Sequence, residues 1–170
     1  MSKMNRVVYF VEGECEEKLI NALKEKPSKV HPGKVKKVNI IQNELSKSQL
    51  VQIQAGTVVV LAFDTDVPVT DCLKKNIKLL EEKCTRVIIV CLAQVLNFED
   101  EIVRCTDVTR VEDLTHSRSK KDFKRDFCTS TNTRNLLEQH HVDVAALWTK
   151  TPPEEFSFVT MNSEFIKNKT

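Results

Sequence analysis

With only three glycines in 170 residues, Gly13, Gly33 and Gly56, the chain has no glycine-rich phosphate loop, and no G-x-x-x-x-G-K-[ST] run is present. That argues against a P-loop nucleotidase. No apolar run reaches the roughly 18 residues that cross a bilayer, and the opening segment MSKMNRVVYFVEGE lacks the long apolar stretch and small-residue cleavage site of a signal peptide. A soluble, cytoplasmic protein with no membrane partner is expected. The six cysteines, Cys15, Cys72, Cys84, Cys91, Cys105 and Cys128, form no C-x-x-C pair, which argues against structural disulfides and against a zinc knuckle. Most sit among apolar neighbours, as Cys91 does in RVIIVCLA, where a free thiol acts as a small buried hydrophobe. The histidines His31, His116, His140 and His141 have no metal-type spacing and read as surface residues, and Trp148 reads as a packing residue. A net charge of +2 is too small to argue for nucleic acid by itself.

What the chain does have is a run from Gly56 to Val67, GTVVVLAFDTDV, that is continuously apolar until it stops at Asp64, Thr65 and Asp66. Such a run reads as a strand buried on both faces of a parallel sheet. Arg6 to Val11 is a second short strand, followed by Glu12, Gly13 and a helix in which Leu19, Ile20 and Leu23 share a face. Gly13 is expected to supply a permissive backbone for the tight turn between them. A strand over Val35 to Ile41 and a short helix over Ser46 to Gln54 come next. Thr70 to Lys83 spaces Leu73, Ile77, Leu80 and Cys84 along one helical face, and Thr85 to Leu92 is another buried strand. Alternating strands and helices of this kind predict an α/β fold, a doubly wound and mainly parallel sheet of Rossmann-like type with extra C-terminal helices. At 170 residues and 41% hydrophobic, the chain is about one domain. Residues 1–110 are expected to form the α/β unit and 111–170 a helical extension packed on it, ending in a weakly patterned tail after Pro152 and Pro153.

Two strand ends thus offer acids to one crevice, Glu12 from the first strand, and Asp64 with Asp66 from the central one. In an extended chain residues 64 and 66 point to the same side, so both can face one ion while Thr65 points away. An all-oxygen cluster suits a hard cation such as Mg2+ or Mn2+, and the chemistry that follows is metal-assisted phosphoryl transfer. Each acid also has a plainer reading: Asp66 as a cap for the next helix, and Glu99, Asp100 and Glu101 as carboxylates favoured by a helix N-terminus.

The segments VEGECEE and FDTDV, taken together, resemble the Toprim domain of topoisomerases, bacterial primases, OLD-type nucleases and small stand-alone nucleases, and NFEDEIVR is similar to the acidic segment of RloB-like and OLD-like members. The likeness covers about residues 6 to 104 and makes the 1–110 unit Toprim-like. It implies that Glu12 is a general acid or base or a metal ligand, that Asp64 and Asp66 bind the metal, and that Glu16 and Glu99 support a second ion. Cys15 stands where many relatives carry threonine or serine. The only tyrosine, Tyr9, lies inside the first strand, so the tyrosine-bearing domain of a topoisomerase has no counterpart. The nuclease branch remains, acting on DNA or RNA, with a role in defence against phages or mobile elements implied by the family and a protein partner or homo-oligomer left open.

The run Arg118 to Arg125 holds Arg118, Lys120, Lys121, Lys124 and Arg125 against one acid, Asp122, and is the candidate surface for a phosphodiester backbone. By resemblance to OLD-type nucleases, Lys120 or Lys121 is the candidate catalytic lysine. The plainer reading is a solvated helix face. Two rival functions stand beside the nuclease: a catalytically inactive Toprim-fold module that binds a partner, and a receiver-like phosphoacceptor domain. The second would need adjacent acids after the first strand and a lysine ending the last; here Gly13 separates Glu12 from Glu14, and Ala93-Gln94 follows the strand.

Overall fold

The computed structural model describes residues 6–168, so the first five residues of the opening segment lie outside it. Strands β1 (Val7–Val11), β2 (Lys34–Lys37), β3 (Val58–Asp64) and β4 (Ile88–Gln94) form one sheet in the order β2-β1-β3-β4, and every neighbouring pair is parallel. The connecting helices are α1 (Glu14–Lys24), α2 (Lys47–Val51) and α3 (Asp71–Lys83), followed by α4 (Phe98–Arg104), α5 (Val111–Thr115), α6 (Lys120–Thr129) and α7 (Thr133–Gln139). The expected doubly wound α/β architecture is the one observed.

Alternation along the strands divides the core in two. Val7, Tyr9 and Val11 of β1, with Val58, Val60 and Ala62 of β3, face a layer built from α1, α4 to α7 and the segment after α7, including Leu19, Phe98, Phe123, Phe127 and Trp148. Val8, Phe10, Val59, Leu61 and Phe63 face the opposite layer, where Ile40, Ile41, Leu73, Leu80 and Phe156 pack. From Val58 to Phe63 every residue of β3 is buried. Its larger side chains each contribute about 1.5–3 kcal/mol by leaving water, which makes β3 the anchor of both cores.

Of the boundaries that differ from the sequence expectation, three have a plain local reason. β2 stops at Lys37 because Val38 N–H makes the last bond to the Val11 carbonyl, and the Asn39 side chain then accepts from Ile41 and Gln42 N–H, turning the chain so that Ile40 and Ile41 enter the core. β4 begins at Ile88 because Arg86 has φ +54, a turn conformation outside the strand region. The helix within 46–54 is limited to α2, opened by Ser46, whose hydroxyl accepts from Gln49 N–H. The tail is firmly bound: Phe156 stacks on Phe63 with centroids 5.8 Å apart, Met161 bridges the outer edge of β4 at Cys91, and Ile166 enters the first core. No helix among the described residues is long and apolar enough to cross a membrane.

Candidate metal and active site at the carboxyl edge of the sheet

From β1 the chain crosses to β2 on one side and then to β3 on the other, so the strand order reverses between β1 and β3. Loops leaving such neighbours diverge and open a crevice at the carboxyl ends of the two strands. Glu12 follows β1 directly and Asp64 is the last residue of β3. They meet there: the Glu12 carboxylate accepts from Asp64 backbone N–H at 3.0 Å and from Asn39 Nδ2 at 2.9 Å.

Glu16, buried in the first turns of α1, turns back toward the same point, and its Oε2 accepts from Gly13 N–H at 3.0 Å. Gly13 has φ −148, an extended backbone that any residue can adopt, so its role differs from the turn-making one expected from sequence. The constraint is space, since a Cβ there would sit 3.2 Å from Glu16 Oε2. On the far side of Asp64 lies the buried amide of Gln94, the last residue of β4. With its nitrogen facing the acids, the amide donates to Glu16 Oε1 at 3.2 Å and to Asp64 Oδ1 at 2.6 Å. One neutral side chain thus bridges two carboxylates.

Crowding sets the electrostatics. Burial, and then the charges of Glu16, Glu12, Asp66 and Glu99, push the Asp64 carboxyl up to about 8. Burial and the charge of Glu12 also raise Glu16, against the lowering pull of its own and Gly13's backbone N–H groups. The opposing cation is Lys124 of α6, whose Nζ is 3.3 Å from Glu99 Oε1. Partial burial lowers its pKa, but Glu99, Cys15 and Asp64 outweigh that and hold the ammonium above its ordinary value. Glu12, Glu16, Asp64 and Lys124 line a cleft of about 540 Å³ between α1 and α6, floored by Phe98.

Among the acids read from the sequence, Glu12, Glu16 and Asp64 are brought together, and Glu99 joins through Lys124 and through its charge on Asp64. Asp66 is exposed just beyond β3, within electrostatic reach of Asp64 but outside the cleft lining. The expected strand alternation does not carry as far as Asp66, because Thr65 N–H donates to the Gln94 and Leu96 carbonyls and bends the chain toward the β4 loop. Nor does Asp66 cap α3, whose N-cap is Thr70. In the basic run, Lys124 and Arg125 line the cleft, while Arg118, Lys120 and Lys121 are exposed outside it. Arg125 is committed to Asp122 and Asp126, at 3.3 and 2.9 Å. The parts not foreseen are the amides of Gln94 and Asn39 and the place of Lys124. Tyr9 is fully buried with its hydroxyl donating to the His31 carbonyl, and His140 Nδ1 lies 2.9 Å from Asp107, away from the cleft.

A larger cavity, about 730 Å³, lies by the C-terminal end of α1 and α7, but the arginine that lines it, Arg134, is already satisfied. Arg134 there donates to the carbonyls of Ala22, Glu25 and Pro27 and pairs with Glu138, which is the chemistry of a clamp on the end of α1. No group of three or more His, Cys, Asp or Glu side chains among the described residues is gathered closely enough to hold a metal ion as it stands. The acids have internal partners instead: Asn39 and Asp64 N–H for Glu12, Gly13 N–H for Glu16 and Lys124 for Glu99. In kind the donors do fit a hard divalent cation, since they are all oxygens and their mutual repulsion, visible in the raised pKa of Asp64, is what such a cation relieves. Comparison with protein-family models, with curated proteins and with solved structures finds no match.

Proposed function

We propose that the chain is a divalent-metal-dependent nuclease that hydrolyses phosphodiester bonds in DNA or RNA through an acidic site of the Toprim kind. The observation that carries this reading is the convergence of Glu12, Glu16 and Asp64 at the reversal of strand order, with Asp64 forced up to about 8 by its burial and its acidic neighbours. Structural acids are normally given cations or turned to water, whereas crowded ones mark a site. Asp64 and Glu16, spaced by Gln94, are the residues to hold Mg2+ or Mn2+, with Asp66 and Glu99 at the margin. When bound, the ion supplies Lewis acidity and a water of lowered pKa. Glu12, next to Asp64, is the group to accept or deliver a proton. Lys124 presents its ammonium to the charge of a phosphate in the cleft, and Lys120 and Lys121 extend that positive face along α6. By the resemblance of its motifs, a role in defence against phages or mobile elements follows as part of the same proposal.

Single- and double-stranded DNA and RNA, each incubated with Mg2+ or Mn2+, test the reading against Glu12→Gln and Asp64→Asn. Both variants keep a side chain of the same shape. The expected loss of cleavage is on the order of a hundredfold, the scale set by a misplaced reacting group. Equal cleavage by wild type and variants would point to a contaminant and overturn the assignment. One observation favours a second reading, an inactive Toprim-fold module that binds a partner: each acid already has an internal hydrogen-bonding or ionic partner. Silence on every substrate, together with no Mn2+ binding by calorimetry, would select that module.

A further inference from the structure

Cys15, in the first turn of α1, and Cys128, near the end of α6, bring their sulfurs to 3.3 Å although 113 positions separate them in sequence. Both are free thiols and both line the acidic cleft. Among the described residues no other two cysteines are paired in this way. Their chain neighbours are the cleft's own groups, since Glu16 follows Cys15 and Lys124 lies one turn before Cys128. We propose that Cys15 and Cys128 form a redox-modification site, a dithiol that a peroxide converts to a disulfide tethering α1 to α6 across the cleft.

Cys128 is half-buried and Cys15 is 7% exposed, so Cys128 is the sulfur a peroxide entering the cleft meets first. Its sulfur attacks the peroxide, an S–O bond forms as the O–O bond breaks, and one water leaves. Cys15 sulfur then displaces the oxygen of the resulting sulfenic acid, which departs as a second water. Two thiols lose two electrons and two protons, and the peroxide is reduced to two waters. Closing from 3.3 Å to the roughly 2.05 Å of a disulfide needs a shift on the order of 1 Å between helices already packed together. The bond would draw Glu16 and Lys124 together and narrow the cleft. The inference rests on the thiol geometry and stands whether or not the cleft cuts nucleic acid.

The full chain is treated with hydrogen peroxide, alkylated without reductant and digested. The expected product is a single Cys15–Cys128 cross-linked peptide, lighter by two hydrogens than the two thiols, reversed by dithiothreitol. Cys15→Ser should stop at a dimedone-reactive sulfenic acid on Cys128, and the oxidised wild type should melt at a higher temperature than the reduced. Half-buried Cys72, remote from the cleft, is the internal reference. Full alkylation of Cys15 and Cys128 after a dose that oxidises Cys72, or over-oxidation of Cys128 with no cross-link, would overturn the proposal without recourse to any variant.

Discussion

Helix α4 carries two buried acids two residues apart, Glu99 and Glu101, and they face different surroundings. Glu101 is 1% exposed, and its Oε1 accepts from Arg104 Nη2 at 2.6 Å and from Trp148 backbone N–H at 2.5 Å. It is a fastener that ties the C-terminal segment to α4. Glu99, on the other side of the helix, reaches Lys124 and adds its charge to the crowding at Asp64. Burial of a carboxylate is therefore no guide to its role. What separates the two is company: Glu101 Oε1 is matched by two donors away from other acids of the cleft, whereas Glu99, paired with Lys124, stands close enough to add its charge to Asp64.

The contrast is broken first at the fastener. Glu101→Ala should cost about 3 kcal/mol, the usual penalty for removing one partner of a buried pair, and should leave cleavage per folded molecule unchanged. Urea denaturation measures the first and single-turnover kinetics the second; a stability change near zero would remove the distinction between the two acids.

At the crowded end the sign reverses. Asp64 has an ordinary pKa of 3.8 and titrates at about 8 in the fold, so between those values the folded protein holds a proton that the unfolded chain releases. Stability is therefore lost as pH rises from about 4 to about 8 and is level above. Asp64→Asn abolishes that loss, so the metal-free variant should be more stable than wild type at pH 9, by up to about 6 kcal/mol for a shift from 3.8 to about 8 and by less once solvent screening of the half-buried carboxyl is counted, and equal to it near pH 4. Thermal melts in chelator across that range decide it. A variant less stable at pH 9 would mean that the carboxylate is well accommodated and the crowding illusory.

The smallest expected effect concerns the basic helix. Lys120→Ala with Lys121→Ala should lower nucleic-acid affinity modestly and flatten the dependence on salt by about 0.9 in slope for each phosphate no longer neutralised. An unchanged slope would make those two lysines a solvated face and leave Lys124 as the sole lysine of α6 tied to the cleft.

How far the sequence reveals this arrangement depends on what kind of signal each residue leaves. Glu12 and Asp64 are legible because each interrupts a buried strand, where a charge needs a reason. The alternation of strand and helix likewise announces the parallel sheet. Gln94 and Asn39 leave no trace: they are neutral amides that matter only once β4 lies beside β3 and the β2 turn lies beside β1. Lys124 cannot be told from Lys120 and Lys121 by composition, since what singles it out is how α6 docks on α4, through Phe123 and Phe127 packing against Phe98. Thr65 shows the limit of pattern extrapolation, because one pair of loop hydrogen bonds is enough to end the alternation that would have aligned Asp66 with Asp64.

The bond from Asp64 N–H to the Glu12 carboxylate has a wider meaning. Across the rest of this joint, β1 and β3 are held by backbone groups alone, from Val7 with Val58 to Val11 with Ala62. At the rim a side chain stands in for the missing carbonyl and finishes the seam. Under the proposed function Glu12 would serve twice: the residue offered as proton carrier also closes the masonry of the site. Glu12→Gln leaves an oxygen in place to keep the seam shut while withdrawing the charge, whereas Glu12→Ala opens the joint as well as silencing the group.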